Sequence, residues 1–305
     1  MDPDLSELTE QIALDPQQFI GIPLALIGAV FLSLGAQFQH RGVVKVESQT
    51  VDTLGKGLSG KQLALLLARP SWVLGTLMLG LAIVFQLASL YFAPLIVVQP
   101  LGAIALVITS IINSRVAKVR LNRKTIIAIA MCVGGVFLFV GVAAFTAVDK
   151  PVTDRQLYVI LGILAVVLVA AAAAFMLFRT RIRAIFYVIL AGVLYGFVAT
   201  LAKVIIGRIE QGEFDWLTVL CVVALLAGTA LGAYFVQNAH ASGPPDLVIA
   251  GLTVVDPMVA VGIGIIVLGE ASQAPPWAMA VFILSGVIAV WGVFQLARNH
   301  PQTRV

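Results

Sequence analysis

Charge is what this sequence has least of. Only 11% of its 305 residues are Asp, Glu, Lys or Arg, against 60% apolar and a mean hydropathy of +1.04, so too few polar side chains remain to cover a water-soluble fold. A soluble domain is excluded. The two cysteines, Cys132 and Cys221, have no neighbours at metal-ligand spacing, which excludes a zinc site and leaves two small apolar packing residues. No cluster of His, Asp and Glu falls at one membrane face, so nothing suggests an enzyme; no catalytic residue and no cofactor are expected. No Lys or Arg precedes the first apolar run, where Asp2, Asp4, Glu7, Glu10 and Asp15 stand instead, so a cleavable signal peptide is not expected and the first run should stay as a helix.

What is there is apolar length. A bilayer core about 30 Å thick takes roughly 20 apolar residues per helix, and nine runs qualify, at about 20–40, 71–92, 94–112, 125–147, 157–178, 184–206, 216–237, 246–268 and 277–296. The expectation is an all-α polytopic bundle of nine helices in a single domain, residues 1–305. The stretch 54–70, which includes the amphipathic LALLLARP, is the candidate for a surface helix or a tenth span. The net charge of +4, with a pI near 9.2, reflects sorting across the membrane and not a nucleic-acid partner. Taken alternately, the connections place 15 of the 19 basic residues on one side, among them Arg41, Arg115, Lys124, Arg179, Arg181, Arg183 and Arg298. Most acids, including Asp149, Asp154, Glu210, Glu213, Asp215 and Glu270, fall on the other. Basic loops stay cytoplasmic. The expected placement is therefore the cell membrane, with the N-terminus outside and the C-terminus inside.

The sequence also repeats itself. LIVVQPLGA begins at Leu95 and LTVVDPMVA at Leu252, and both keep the VVxP core. Upstream, Gln86-Leu87-Ala88 matches Gln237-Asn238-Ala239. Two halves are implied, residues 20–147 and 184–296, with the crossing 157–178 between them, so each helix meets its counterpart running the opposite way. Such inverted repeats are the architecture of many secondary transporters.

Most of the chain carries a family resemblance. SLYFAPLIVVQPLGAIALVITSIINSR followed by TIIAIAMCVGGVFLFVGV, and GVLYGFVATLAKVI followed by YFVQNAHASGPPDLVIAGLTVVDPMVAVGIGIIVLGEASQ, resemble helices of the drug/metabolite transporter (EamA-like) superfamily, closest to its NIPA-like branch. The resemblance implies a membrane transporter, with magnesium as the branch's associated substrate. LGE at 268–270 resembles the acidic end common after the family's proline helix, whereas the first half has Asn113 with no acid.

The residues that carry chemistry sit around the repeat. Pro100 and Pro257 each remove a backbone donor and release a carbonyl one turn earlier, at Ile96 and Thr253. Asp256 falls mid-span, where a carboxylate costs about 2.5–3.5 kcal/mol to insert, which makes it a functional candidate by default. Lys203 is its candidate partner or snorkels to the interface. Gln86, Gln99, Gln237 and Asn238 are cheaper polar groups suited to lining or to interhelical bonds. His40 and His240 are read as interfacial and solvated. Gly21, Gly28, Gly35 and Gly42 form a stripe for close helix packing. The expected function is a secondary transporter moving a small organic solute by alternating access, with these residues binding the substrate and a proton or cation as coupling ion. The alternative is a Mg²⁺ transporter or channel, with Asp256 as its metal site. The expected partners are the lipid bilayer and the substrate, and a homodimer is left open.

Overall fold

A computed structural model of the protein describes residues 18–47, 67–116, 122–178, 184–242 and 245–298. The described residues form helices and connections, with no strand among them. In chain order the helices are α1 (Gln18–Glu47), α2 (Pro70–Phe92), α3 (Leu95–Leu101), α4 (Ala103–Val116), α5 (Arg123–Thr146), α6 (Asp154–Phe178), α7 (Ala184–Glu210), α8 (Trp216–Ser242), α9 (Pro245–Ile263) and α10 (Pro276–Arg298). A π-helical turn, Gly264–Leu268, extends α9. Among the described residues nine spans are long and apolar enough to cross a membrane, α3 with α4 and α9 with its π turn each making one. The sequence expectation of a nine-helix membrane bundle is therefore met. Residues 48–66 and the arginines 179, 181 and 183 lie outside the described residues, as do the N-terminal acids.

One run departs from its expected continuity. The third span is two helices joined at Gly102, because Pro100 brings no N–H to the ladder and the turn there closes through the Gly102 amide on the Gln99 carbonyl, at 3.1 Å. The preceding corner is sharp for a related reason. Ala93, which precedes Pro94, is held extended at φ −139° and ψ 152°, so α2 stops and α3 starts afresh. Every residue of α3 from Leu95 to Gln99 is buried, which places this short helix at the centre of the bundle.

The main packing contacts recur in pairs. Helix α1 packs along α2 as α7 does along α8; α1 meets α3 and α4 as α7 meets α9; and α3 meets α5 as α9 meets α10. In the middle α5 packs on α10 and α3 on α9. Helix α6 touches its neighbours sparsely. The α5–α10 contact is reciprocal down to single residues. A Cβ on Gly135 would come within 2.8 Å of the Ser285 carbonyl oxygen, and one on Gly292 within 2.9 Å of the Ala128 carbonyl oxygen. Ala128 and Ser285, like Gly135 and Gly292, are separated by the same interval as Pro100 and Pro257. Lipid offers no hydrophobic drive for helix association, so backbones this close gain their stability from dispersion. The α1 stripe behaves likewise: Gly21 faces Ser89 and Ala93, Gly28 faces Phe85, and Gly35 faces Gly75 on α2.

Candidate functional site

The α2–α3 corner leaves two sets of backbone groups without helical partners, the last carbonyls of α2 and the first amides of α3. The other half of the chain supplies both counter-charges. Lys203, on α7 and buried, donates to the Leu90 carbonyl at 2.8 Å, to the Ala93 carbonyl at 3.2 Å and to the Asp149 carboxylate. Three ammonium protons meet three acceptors. Glu270, only 1% exposed, accepts from the Leu95 amide on one oxygen and the Ile96 amide on the other, both at 2.8 Å. Its own backbone is tied down as well, with the Val148 amide donating to its carbonyl at 2.8 Å. Burial pushes the Glu270 carboxyl up to about 7, against the opposing pull of the two amides and Lys203.

A second buried cation organises the same end of the bundle. Arg208 pairs with Asp154 at 2.8 Å, with Asp215 at 3.2 Å and with Glu213. Asp215 also caps α8, accepting from the Thr218 amide at 3.0 Å, and that bond holds its carboxyl below the usual range. Asp154 begins α6, so the cluster fixes three helix ends together. The end of the bundle that carries these acids is thus held together by ion pairs.

Below the corner lies a cavity of about 560 Å³ between α1, α2 and α3 on one side and α7 and α9 on the other. Its polar lining comes from Gln86, Gln99, Tyr195, Thr253 and Asp256. Leu90, whose carbonyl Lys203 holds, also lines it. Most of the wall is apolar, and two of the residues that line it carry buried polar atoms without a protein partner, the Gln99 amide nitrogen and the Asp256 Oδ1. Pro257 lines this cavity too, and Pro100 and Pro257 share a smaller one of about 100 Å³ beside Val136 and Phe139. The two VVxP motifs are therefore neighbours.

Other sequence candidates stand elsewhere. Lys203 does not pair with Asp256, because the α2–α3 corner and Asp149 claim it; nor does it snorkel, since it is buried. Gln237 is exposed, and Asn238 donates back to the Tyr234 carbonyl at 2.8 Å within α8. Thr253 donates to the Ile249 carbonyl at 2.8 Å, so its hydroxyl proton is already engaged. His240 is exposed, and the His40 side chain lies outside the described residues. Sequence reading had no signal for Tyr195 or for the pairing role of Asp149. It had Glu270 in the LGE motif but not its amide partners, which lie 174 and 175 residues away. Among the described residues no three His, Cys, Asp or Glu gather as a metal cage.

Comparison with known proteins adds the family. A curated but uncharacterized protein of Corynebacterium glutamicum is 24% identical over 287 residues, covering 92% of this chain and 95% of that one. No solved structure matches. The family model of the magnesium transporter NIPA matches residues 16–211, close to two thirds of the chain and every helix from α1 to α7. The nine-span bundle, with ion pairs at its acidic end and a cavity between its halves, belongs to the NIPA family of membrane transporters.

Proposed function

We propose that the chain is a secondary transporter working by alternating access, and that the cavity between its halves binds a small organic solute. The observation that carries this reading is the pair of unpartnered groups on residues that line one cavity, the Gln99 amide donor and the Asp256 acceptor. Buried polar groups without partners are rare in native folds, and a solute bearing both an amine and an acceptor group would satisfy the two once their side chains turned into the cavity. The largely apolar wall suits a carbon skeleton. The volume lies in the range of small-molecule sites, about 300–1,000 Å³.

In this proposal residues 20–147 and 184–296 are inverted repeats about an axis running between Gly135 and Gly292. Matching helix contacts and the shared sequence interval support that relation. The acidic end faces outside, and the α2–α3 corner, pinned by Lys203 and Glu270, is the closed external gate. Opening it means withdrawing both side chains from the corner while the opposite end closes.

Family membership favours a second reading, with Mg²⁺ as the substrate. Mg²⁺ keeps most of its water and needs only one or two carboxylates. Six waters fill about 200 Å³ by the volume of the liquid, so a hydrated ion held by Asp256 and the glutamine amides fits the cavity. Flux into vesicles carrying purified protein separates the readings. The organic reading expects uptake of some member of an amino-acid and amine panel, abolished in Asp256→Asn, with Mg²⁺ flux at background. Saturable Mg²⁺ flux with no organic uptake would replace it by the second.

A further inference from the structure

The basic end of the bundle holds a site of a different kind. Beyond the close contact of Gly292 with Ala128, a groove of about 590 Å³ opens between α5 and α10, and its lining includes Lys124, Ile127, Met131, Trp291, Gln295 and Arg298. We propose that this groove binds the phosphate headgroup of an anionic phospholipid, with Lys124 and Arg298 contacting the phosphate and an acyl chain lying along Ile127 and Met131.

Charge is the first argument. Lys203 and Arg208 at the acidic end are buried against carboxylates, whereas Lys124 and Arg298 form no ion pair among the described residues. Residues 111–147 and 287–305, which surround the two cations in sequence, contain no Asp or Glu. The position of Lys124 is the second argument. It stands in the first turn of a 24-residue helix, fixed there by the Asn122 cap that accepts from the Thr125 amide at 2.7 Å. A cation in that turn adds to the positive end of the helix dipole and is unfavourable unless an anion joins it. Arg298 reaches the same groove from the last turn of α10.

The surroundings favour lipid over free phosphate. Ile127 is 51% exposed and Trp291 57% exposed, both on the outer surface of an apolar bundle. An indole beside two cations is the usual composition of the headgroup level, with its ring in the acyl boundary and its N–H toward the polar layer. Basic pockets between membrane helices bind anionic headgroups by the same combination. Because α5 and α10 form the reciprocal contact between the halves, a lipid wedged there sits on the element about which they would move.

The test uses the whole purified protein in mild detergent, titrated with phosphatidylglycerol, phosphatidylcholine or inorganic phosphate. Its readouts are the thermal midpoint and the lipid retained in native mass spectrometry. Phosphatidylglycerol should raise the midpoint and stay bound, while the other two should do neither. Lys124→Gln and Arg298→Gln should each weaken its binding about fivefold, and the pair about 30-fold, the effect of one and two basic residues near an anionic headgroup. Arg41→Gln combined with Arg115→Gln, which removes the same charge elsewhere on the basic end, should change binding less than about twofold. Equal losses in the two double variants would make the effect bulk attraction and overturn the site. Equal protection by phosphatidylcholine or inorganic phosphate would overturn it too. Should the Lys124/Arg298 double variant lose its lipid-free midpoint, the single variants decide.

Discussion

The two VVxP helices share a motif and differ in where each breaks. Helix α3 starts abruptly at Leu95, buried on all sides, with its first amides bound to a carboxylate from the other half. Helix α9 runs unbroken from Pro245 through Pro257 to Ile263 and yields only afterwards, in the π turn that leads to Glu270. The first copy is therefore tied to the second half through its first amides. The α2–α3 corner is two residues long and exposes free backbone groups, and a corner so made must be closed by side chains from elsewhere.

Removing the carboxylate strikes this difference hardest. Glu270→Ala leaves the Leu95 and Ile96 amides buried without acceptors, each at about 1–3 kcal/mol, and should lower the thermal midpoint and expose the cavity to a membrane-impermeant thiol reagent through a cysteine placed at Ala202. An unchanged midpoint and no added labelling would show that the corner stands without its carboxylate.

A change at the reciprocal contact should strike both halves alike. Gly135→Leu and Gly292→Leu each drive a side chain into the facing backbone and should cost similar amounts, about 1–3 kcal/mol, in thermal or denaturant unfolding. Gly141→Leu, with nothing within 4 Å of its Cβ position, should stay within about 0.5 kcal/mol. A large cost at one glycine and none at its counterpart would break the symmetry on which the proposed mechanism rests.

A smaller effect is expected from pH. The Glu270 carboxyl titrates at about 7 in the closed corner, above its ordinary 4.5. Closure therefore takes up a proton: it is most stable below the ordinary value and weakens as pH rises through about 7. Glu270→Gln should flatten that dependence in the same labelling assay. A pH profile that survives the substitution assigns the titration to another group.

The helices were legible in the sequence because each is a run of about 20 apolar residues, and the nearness of Pro100 to Pro257 because the two sit in nearly identical words. Asp256 could be chosen as a cavity residue from its mid-span cost, and Gln99 from its matching place in the repeated motif. Their polar neighbour Tyr195 could not, since a tyrosine in an apolar helix carries no such penalty. Lys203 illustrates the limit of reading by sequence position. A buried lysine signals that an acid must be near, but Asp149, half a bundle away in sequence, became the partner because the α2–α3 corner brought spare carbonyls to the same place. Gln237 was chosen by repeat symmetry and lies on the outside of α8, which shows that matching words do not fix matching helix faces.

The most direct test of the central claim is substrate flux through Asp256→Asn in vesicles, with protein level and thermal midpoint measured on the same preparation. Asn keeps the size and removes the charge. Lys203 is already satisfied by Asp149 and the corner, so no cation is stranded by the change. The account predicts flux lowered by about 100-fold or more, the loss expected when a buried charged contact of about 3 kcal/mol is removed from a binding site, with an equal or higher midpoint because an unpaired buried carboxylate is gone. Wild-type flux at normal protein level would contradict it and leave the carboxylate in VVDP without a role in transport.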